Sequence, residues 1–194
     1  MSAAHKINRL AVEDYLAGEL TSSIKHEYVG GIAYAMAGAR NVHNRIVGNI
    51  FGSIFARLRG KPCQPFNSDT KMRIRLPGEI RFYYPDVSVV CDPNRDDESF
   101  QDQPIVIFEV LSRGTRRIDE GEKKDAYLAI PSLAAYVLVE QEFASVVVWR
   151  RTGEGFVPQT HDGLNAILPL TEIATELPLA EIYQGVSFVP EAGT

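Results

Sequence analysis

At 194 residues with a formal net charge of −5, the chain is long enough to bury a sizeable core and lacks the excess of positive charge typical of a general nucleic-acid coat. Hydrophobic residues at 45% and charged residues at 23% are ordinary for a globular protein, and no apolar run approaches the ~20 residues of a membrane span. Cys63 and Cys91 have no metal-type spacing and "MSAAHKINRLAVEDYL" has no continuous apolar core of a leader, so a reduced, cytoplasmic protein is the simplest expectation.

In chain order, a short helix is predicted around Val12 to Leu16. "KHEYVGGIAYAMAG" reads as a hairpin, because Gly30-Gly31 can supply the positive φ of a two-residue turn. "NVHNRIVGNIFGSIFARLRG" places Ile46, Val47, Ile50, Phe51, Ile54, Phe55 and Leu58 at helical spacing, which predicts an amphipathic helix from Asn41 to Gly60. "DTKMRIRLPG" alternates strictly: Lys71, Arg73 and Arg75 face one way, Met72, Ile74 and Leu76 the other. Two apolar strands follow, "RFYYPDVSVVCD" and "PIVIFEVL", joined by a polar loop. "IDEGEKKDAYLAI" reads as a helix ending before Pro131, and "LAAYVLVEQ" with "ASVVVWRR" as a hairpin around Glu142 and Phe143. "LPLAEIYQG" closes the chain with a helical turn or two. This order predicts an α/β (α+β) fold with a mixed central sheet flanked by helices, one domain over 1–194 with its core at about 12–182.

Charge is segregated along the chain. Arg57 to Arg81 carries a local balance of +5 and Asp92 to Asp102 one of −4. Two acids stand out against their apolar strands, Asp86 before "VSVV" and Glu109 inside "PIVIFEVL". A buried carboxylate without a partner costs several kcal/mol, so each needs an arginine, a lysine, hydrogen bonds or a metal ion. Arg81 or Arg117 could serve as a structural partner. Two acids at the ends of neighbouring strands could instead converge on one hard cation such as Mg2+. In the following helix Asp119, Lys123 and Tyr127 share a face at i, i+4 and i+8, where Asp119–Lys123 could be a plain surface pair.

Taken together, "EYVGGIAYAMAG", the His43 of "NVHNRIVGN", "YPDVSVVCD", "IFEVLSRGTRRIDEGEKKDAYLAIPSLAAYVLVEQ" and the closing hairpin resemble the Uma-type family of restriction-type endonucleases. That family lies within the PD-(D/E)XK nuclease superfamily, and the resemblance covers about Val12 to Ile182. It implies a restriction-endonuclease-like fold and a Mg2+- or Mn2+-dependent endonuclease acting on nucleic acid, with DNA as the expected substrate. Asp86 matches the "PD" acid, Glu109 the acid of the (D/E)XK element, and Glu27 a further glutamate expected at the same metal. The superfamily lysine falls at Leu111 in this chain, and Lys123 on the next helix matches a relocated lysine.

On that basis Asp86, Glu109 and Glu27 are the expected metal ligands, and Lys123 orients the attacking water and meets developing charge. Arg116 and Arg117, with the hydroxyls of Ser112 and Thr115, are candidate phosphate contacts, and the Lys71/Arg73/Arg75 stripe is either an extension of that track or a solvated strand face. His43 and Tyr127 are further candidates near the substrate, with capping or core roles as alternatives. The apolar run Val146 to Trp149 needs a cover, from helices or from a second subunit, and a homodimer is the expectation. A catalytically inactive nuclease fold that binds nucleic acid or protein is the competing reading. A glycosidase-type carboxylate pair would leave Lys123 unexplained.

Overall fold

The computed structural model describes residues 9–188. The stretch 1–8, read above for a leader, and residues 189–194 lie outside the described residues. Helix α1 (Val12–Glu19) buries Tyr15. Strands β1 (His26–Val29) and β2 (Ile32–Ala35) form the expected hairpin. Its turn residues Gly30 and Gly31 have φ of 54° and 99°, and a Cβ on Gly31 would lie 2.6 Å from the Cβ of Arg9. Glycine is required there on both counts.

Helix α2 (Asn41–Leu58) buries Ile46, Ile50, Ile54 and Leu58 at four-residue intervals. Full burial of such side chains contributes about 1.5–3 kcal/mol each. The stripe is narrower than expected, since Phe55 is exposed and lies beside the Arg59 guanidinium. Five strands follow: β3 (Gln64–Asn67), β4 (Lys71–Leu76), β5 (Glu79–Tyr83), β6 (Val87–Val90) and the short β7 (Phe100–Gln101). Strand β8 (Pro104–Val110), helices α3 (Arg116–Asp119) and α4 (Glu122–Leu128), and strands β9 (Ala135–Val139), β10 (Ser145–Thr152) and β11 (Gly155–Asp162) come next. The described chain closes with the hairpin β12 (Ile167–Leu170) and β13 (Thr175–Pro178) and helix α5 (Leu179–Ile182).

The strands sort into a five-stranded sheet ordered β2-β1-β5-β4-β7, a six-stranded sheet ordered β11-β10-β9-β8-β6-β3, and the β12-β13 pair. The larger sheet is mixed: β8 runs parallel to β9 and antiparallel to β6. On one face Val106, Phe108, Val110, Val137, Val146 and Val148 pack with α2, α5 and β12-β13. On the other, Ile107, Leu111, Tyr136 and Leu138 meet Ala126 and Tyr127 of α4 and Met72, Ile74 and Tyr83 of the smaller sheet. Helix α1 covers the far side of that smaller sheet through Tyr15, Tyr28, Phe82 and Phe100. The α/β (α+β) architecture with helices flanking a mixed sheet is the one the sequence predicts. No helix among the described residues is long and apolar enough to cross a membrane.

Several local expectations are corrected. The stretch Arg81 to Asp92 is not one strand: β5 ends at Tyr83, Tyr84-Pro85-Asp86 crosses over, and β6 begins on the other sheet. Pro85 lacks the N–H a continuing ladder would need. The helix expected through "IDEGEKKDAYL" breaks at Gly121, whose backbone (φ −117°, ψ −103°) leaves the helical region. Strands β3, β7, β11, β12 and β13 were not expected; β11, "GFVPQTHD", carries a proline and is largely exposed. Cys63 and Cys91 are not free thiols but form a disulfide. They flank the paired residues Gln64 and Val90 of β3 and β6, which brings them side by side.

The apolar hairpin is covered within the chain. Val146 and Val148 enter the main core, the Lys124 ammonium lies 4.5 Å from the Trp149 ring, and β11 pairs along β10. Those side chains therefore give no reason for a second copy. The basic stripe of β4 is likewise engaged: Arg73 and Arg75 both bind Asp102, while Lys71 is buried against Tyr84.

Candidate active site

The β6–β8 register pairs Val87 with Phe108, and continuing it by one residue sets Asp86 beside Glu109. The backbone ties them together. Val110 N–H donates to Asp86 Oδ2 at 2.7 Å, and Asp86 N–H donates to Glu109 Oε2 at 3.3 Å. Alternation along β8 sends Val106, Phe108 and Val110 to the α2 side, and Ile107, Glu109 and Leu111 to the α4 side. Glu109 thereby sits in the layer between the two sheets.

Lys123 enters that layer from α4. Its ammonium is 2.7 Å from Glu27 Oε1, 3.6 Å from Glu109 Oε1 and 3.6 Å from Asp119 Oδ1. Glu27 reaches it from β1 of the smaller sheet. Asp119, read from sequence as a surface partner, is 2% exposed and belongs to the buried cluster. The break at Gly121 allows this, because it turns α3 relative to α4; a Cβ there would lie 2.8 Å from Arg117 O. The i, i+4 spacing to Lys123 was the available signal for Asp119, but spacing alone does not report burial.

His43, two residues into α2, places Nε2 3.2 Å from Asp86 Oδ2. Tyr127 is fully buried and donates its hydroxyl to Glu109 Oε1 at 3.1 Å. Both expected substrate contacts thus hold acids of the cluster in place. Ser112 and Thr115 bond each other across the turn before α3. Arg116 makes a paired contact to Glu140 at 2.8 and 2.5 Å and another to Glu120. Arg117 is exposed and forms no ion pair among the described residues. Arg81 binds Glu79 and Glu122 rather than Asp86. Leu111, at the superfamily lysine position, is buried in the core, and the Lys123 ammonium approaches Glu109 instead.

Electrostatics follow from this crowding. Burial pushes the Glu109 carboxyl well above the ordinary range; Lys123 opposes that shift, and Asp86, Asp119 and Glu27 add to it. Burial also raises Asp119, against the pull of Lys123. For Lys123 burial works against the charge, but Glu109, Glu27 and Asp119 outweigh it and the ammonium is held above its usual range. His43 behaves alike: burial disfavours its charge, and the hydrogen bond and charge of Asp86, together with Asn44 and the Val110 backbone, outweigh it. The cluster therefore gathers Glu27, Asp86, Glu109 and Asp119 around one lysine and one histidine.

Could such a set hold a metal ion? Among the described residues no three His, Cys, Asp or Glu side chains already surround one point, and Lys123 sits between Glu27 and Glu109. The donor chemistry nevertheless fits a hard cation. Carboxylate oxygens are what Mg2+ takes, it commonly uses one or two of them with waters, and the cluster carries a surplus of negative charge that a cation would balance.

The mixed sheet flanked by helices, with Asp86 just before β6, Glu109 on β8 and Lys123 on α4, is a restriction-endonuclease-like fold. The chain belongs to the Uma2 family, described as "Putative restriction endonuclease", whose sequence profile matches residues 12–180. It is 32% identical over 181 residues to the uncharacterized protein slr1290 of Synechocystis sp., covering 93% of this chain and 94% of that one. A second uncharacterized protein of the same organism, sll1609, is 28% identical over 148 residues, covering 75% and 82%. The fold is also that of the crystal structure of a "putative nuclease belonging to DUF820" from Anabaena variabilis. The TM-score is 0.67 at 16% identity, over 84% of this chain and 91% of that one.

Proposed function

We propose that this chain is a Mg2+- or Mn2+-dependent endonuclease that hydrolyses phosphodiester bonds of DNA. The observation that carries the proposal is the convergence of Asp86, Glu109, Glu27 and Lys123 from three separate elements and the Pro85 crossover into one cluster, in a chain of a nuclease-type family. Asp86, Glu109 and Glu27 would hold the cation. When bound, it lowers the pKa of water and neutralises charge on the phosphate.

The remaining roles belong to the chain's own side chains. Hydrolysis adds a water oxygen to phosphorus and breaks one P–O bond, so negative charge builds on the phosphate oxygens. Lys123, kept protonated by its carboxylate neighbours, is positioned to meet that charge without reorganising. His43 and Val110 N–H fix the Asp86 carboxylate, and Tyr127 fixes Glu109. Arg117, exposed on α3 and in no ion pair among the described residues, is the cation of that helix left to hold a flanking phosphate.

The test is cleavage of supercoiled, linear and single-stranded DNA with Mg2+ or Mn2+, alongside calorimetric titration of each ion. Asp86→Asn and Glu109→Gln should each lower cleavage by at least about 100-fold and remove saturable ion binding, with the fold retained. Wild-type protein that binds neither ion and cleaves no substrate would leave a nuclease fold used for binding, with Lys123 closing a structural ion network.

A further inference from the structure

The hairpin that delivers Glu27 to the cluster also delivers an aromatic ring. Tyr34 on β2 is the direct cross-strand partner of Glu27 on β1. Directly opposed residues of an antiparallel pair project to the same face of the sheet, so Tyr34 stands beside Glu27 on the face that carries the acids. Of the chain's eight tyrosines, the other seven are buried. Tyr34 is 52% exposed and makes no hydrogen bond or ring contact among the described residues. Ile32, its neighbour on the same face, is 40% exposed. The surrounding run from Ile32 to Ala39 contains no charged residue; apart from Ile32 and Met36 it offers only alanines and a glycine, which leave the ring uncovered.

Cations around the cluster do not make up a phosphate track. Arg116 is tied to Glu140, Arg113 to Glu142, and Arg73 and Arg75 to Asp102. Of the arginines near α3 and β4 only Arg117 is left for a flanking phosphate, and an exposed ring offers a strand seated on the acids the other common source of affinity. Aromatic stacking on a base is tolerant of sequence and needs the base unpaired. Resting on the nuclease reading of this same cluster, we infer that Tyr34 is the platform on which an unpaired nucleobase next to the reacting phosphate stacks. The substrate is accordingly a single-stranded segment: a free strand, a flap or a frayed end.

The experiment measures anisotropy of a fluorescent single-stranded oligonucleotide and of the matching closed duplex, with Ca2+ in place of Mg2+ or Mn2+ so that the acids are balanced while cleavage does not intervene. Wild type, Tyr34→Phe, Tyr34→Trp and Tyr34→Ala are compared, with light scattering to read association state. Wild type should prefer the single strand, Tyr34→Phe and Tyr34→Trp should keep that preference, and Tyr34→Ala should weaken single-strand binding at least about fivefold with little effect on the duplex. Binding by Tyr34→Ala within about twofold of wild type, or a wild-type preference for duplex, overturns the inference. So does a dimer that dissociates in Tyr34→Ala, which would assign the ring to a contact between copies. Failure of the nuclease reading looks different: single strands would bind through Tyr34 yet remain uncut with either metal. Wild type that binds no nucleic acid overturns both.

Discussion

Lys123→Met tests the physical core of the site without any substrate. The Lys123 side chain is 8% exposed, and its ammonium faces Glu27 at 2.7 Å and Glu109 and Asp119 at 3.6 Å. Removing one partner of a buried ion pair costs about 3–5 kcal/mol, because the other charge stays buried and uncompensated. The low end applies here, since burial raises the Glu109 carboxyl and proton uptake there can relieve the unpaired charge, at about 1.4 kcal/mol per pH unit. A loss near 3 kcal/mol at pH 7.5 corresponds to a fall in Tm of roughly 6–12 °C for a chain of this size. The sign of the pH dependence is fixed as well. Glu109 and Asp119 have folded-state pKa values raised above their unfolded ones, so the stability they contribute is lost as pH rises through the folded values. Without the lysine those values rise further, and the deficit of the variant should widen between pH 5 and pH 7.5. Adding Glu27→Gln should return part of the loss by removing the nearest carboxylate charge. Urea denaturation at both pH values decides it. A deficit under about 1 kcal/mol at pH 7.5, or one that narrows as pH rises, would refute the account of Lys123 as the cation that keeps these acids buried.

Gly121→Ala should cost roughly 1–3 kcal/mol in a thermal melt, because its Cβ would meet Arg117 O at 2.8 Å. The same variant should weaken divalent-ion binding in calorimetry, since the break at Gly121 aims Lys123 and Asp119 at the cluster. Reduction of Cys63–Cys91, which closes a sequence separation of 28, should lower stability by roughly 3–4 kcal/mol in denaturant titrations with and without dithiothreitol. Asp102→Asn should cost roughly 1.5–3 kcal/mol at pH 7 through the lost charge-assisted bonds of Arg73 and Arg75. Burial opposes ionisation of Asp102, but Arg73, Asn94 and Arg75 prevail and its pKa is depressed. Its contribution is therefore present above the unfolded value near 3.9 and lost as pH falls through the folded one. Acid titration of wild type should show that segment, and the variant should lack it.

Patterns that depend on neighbours in sequence were legible. The four-residue spacing of Ile46, Ile50, Ile54 and Leu58 gave α2, and Gly30-Gly31 gave the hairpin turn. Asp86 and Glu109 stood out because an acid in an apolar strand demands a partner. What escaped was set by distant contacts. Asp119 is buried because the chain breaks at Gly121, and the break depends on how α3 and α4 meet the sheet. Arg116 looked free for phosphate until Glu140, 24 residues on, came within reach. Strand β11 has a polar sequence and is held by the ladder of β10 rather than by an apolar face. Cys63 and Cys91 pair only because β3 runs back along β6.

The crossover at Tyr84-Pro85-Asp86 governs when the proposed site can form. Glu27 rides on one sheet, Glu109 on the other, Lys123 on a helix wedged between them, and Asp86 on the seam itself. No half of the polypeptide holds the whole constellation, and the ribosome must deliver at least the stretch through α4 before the pieces can meet. Sheet closure and assembly of the cluster are then one event. A nascent, truncated or partly unfolded chain carries its acids and its lysine apart, and on the proposed nuclease reading such a fragment would leave the nucleic acid around it intact.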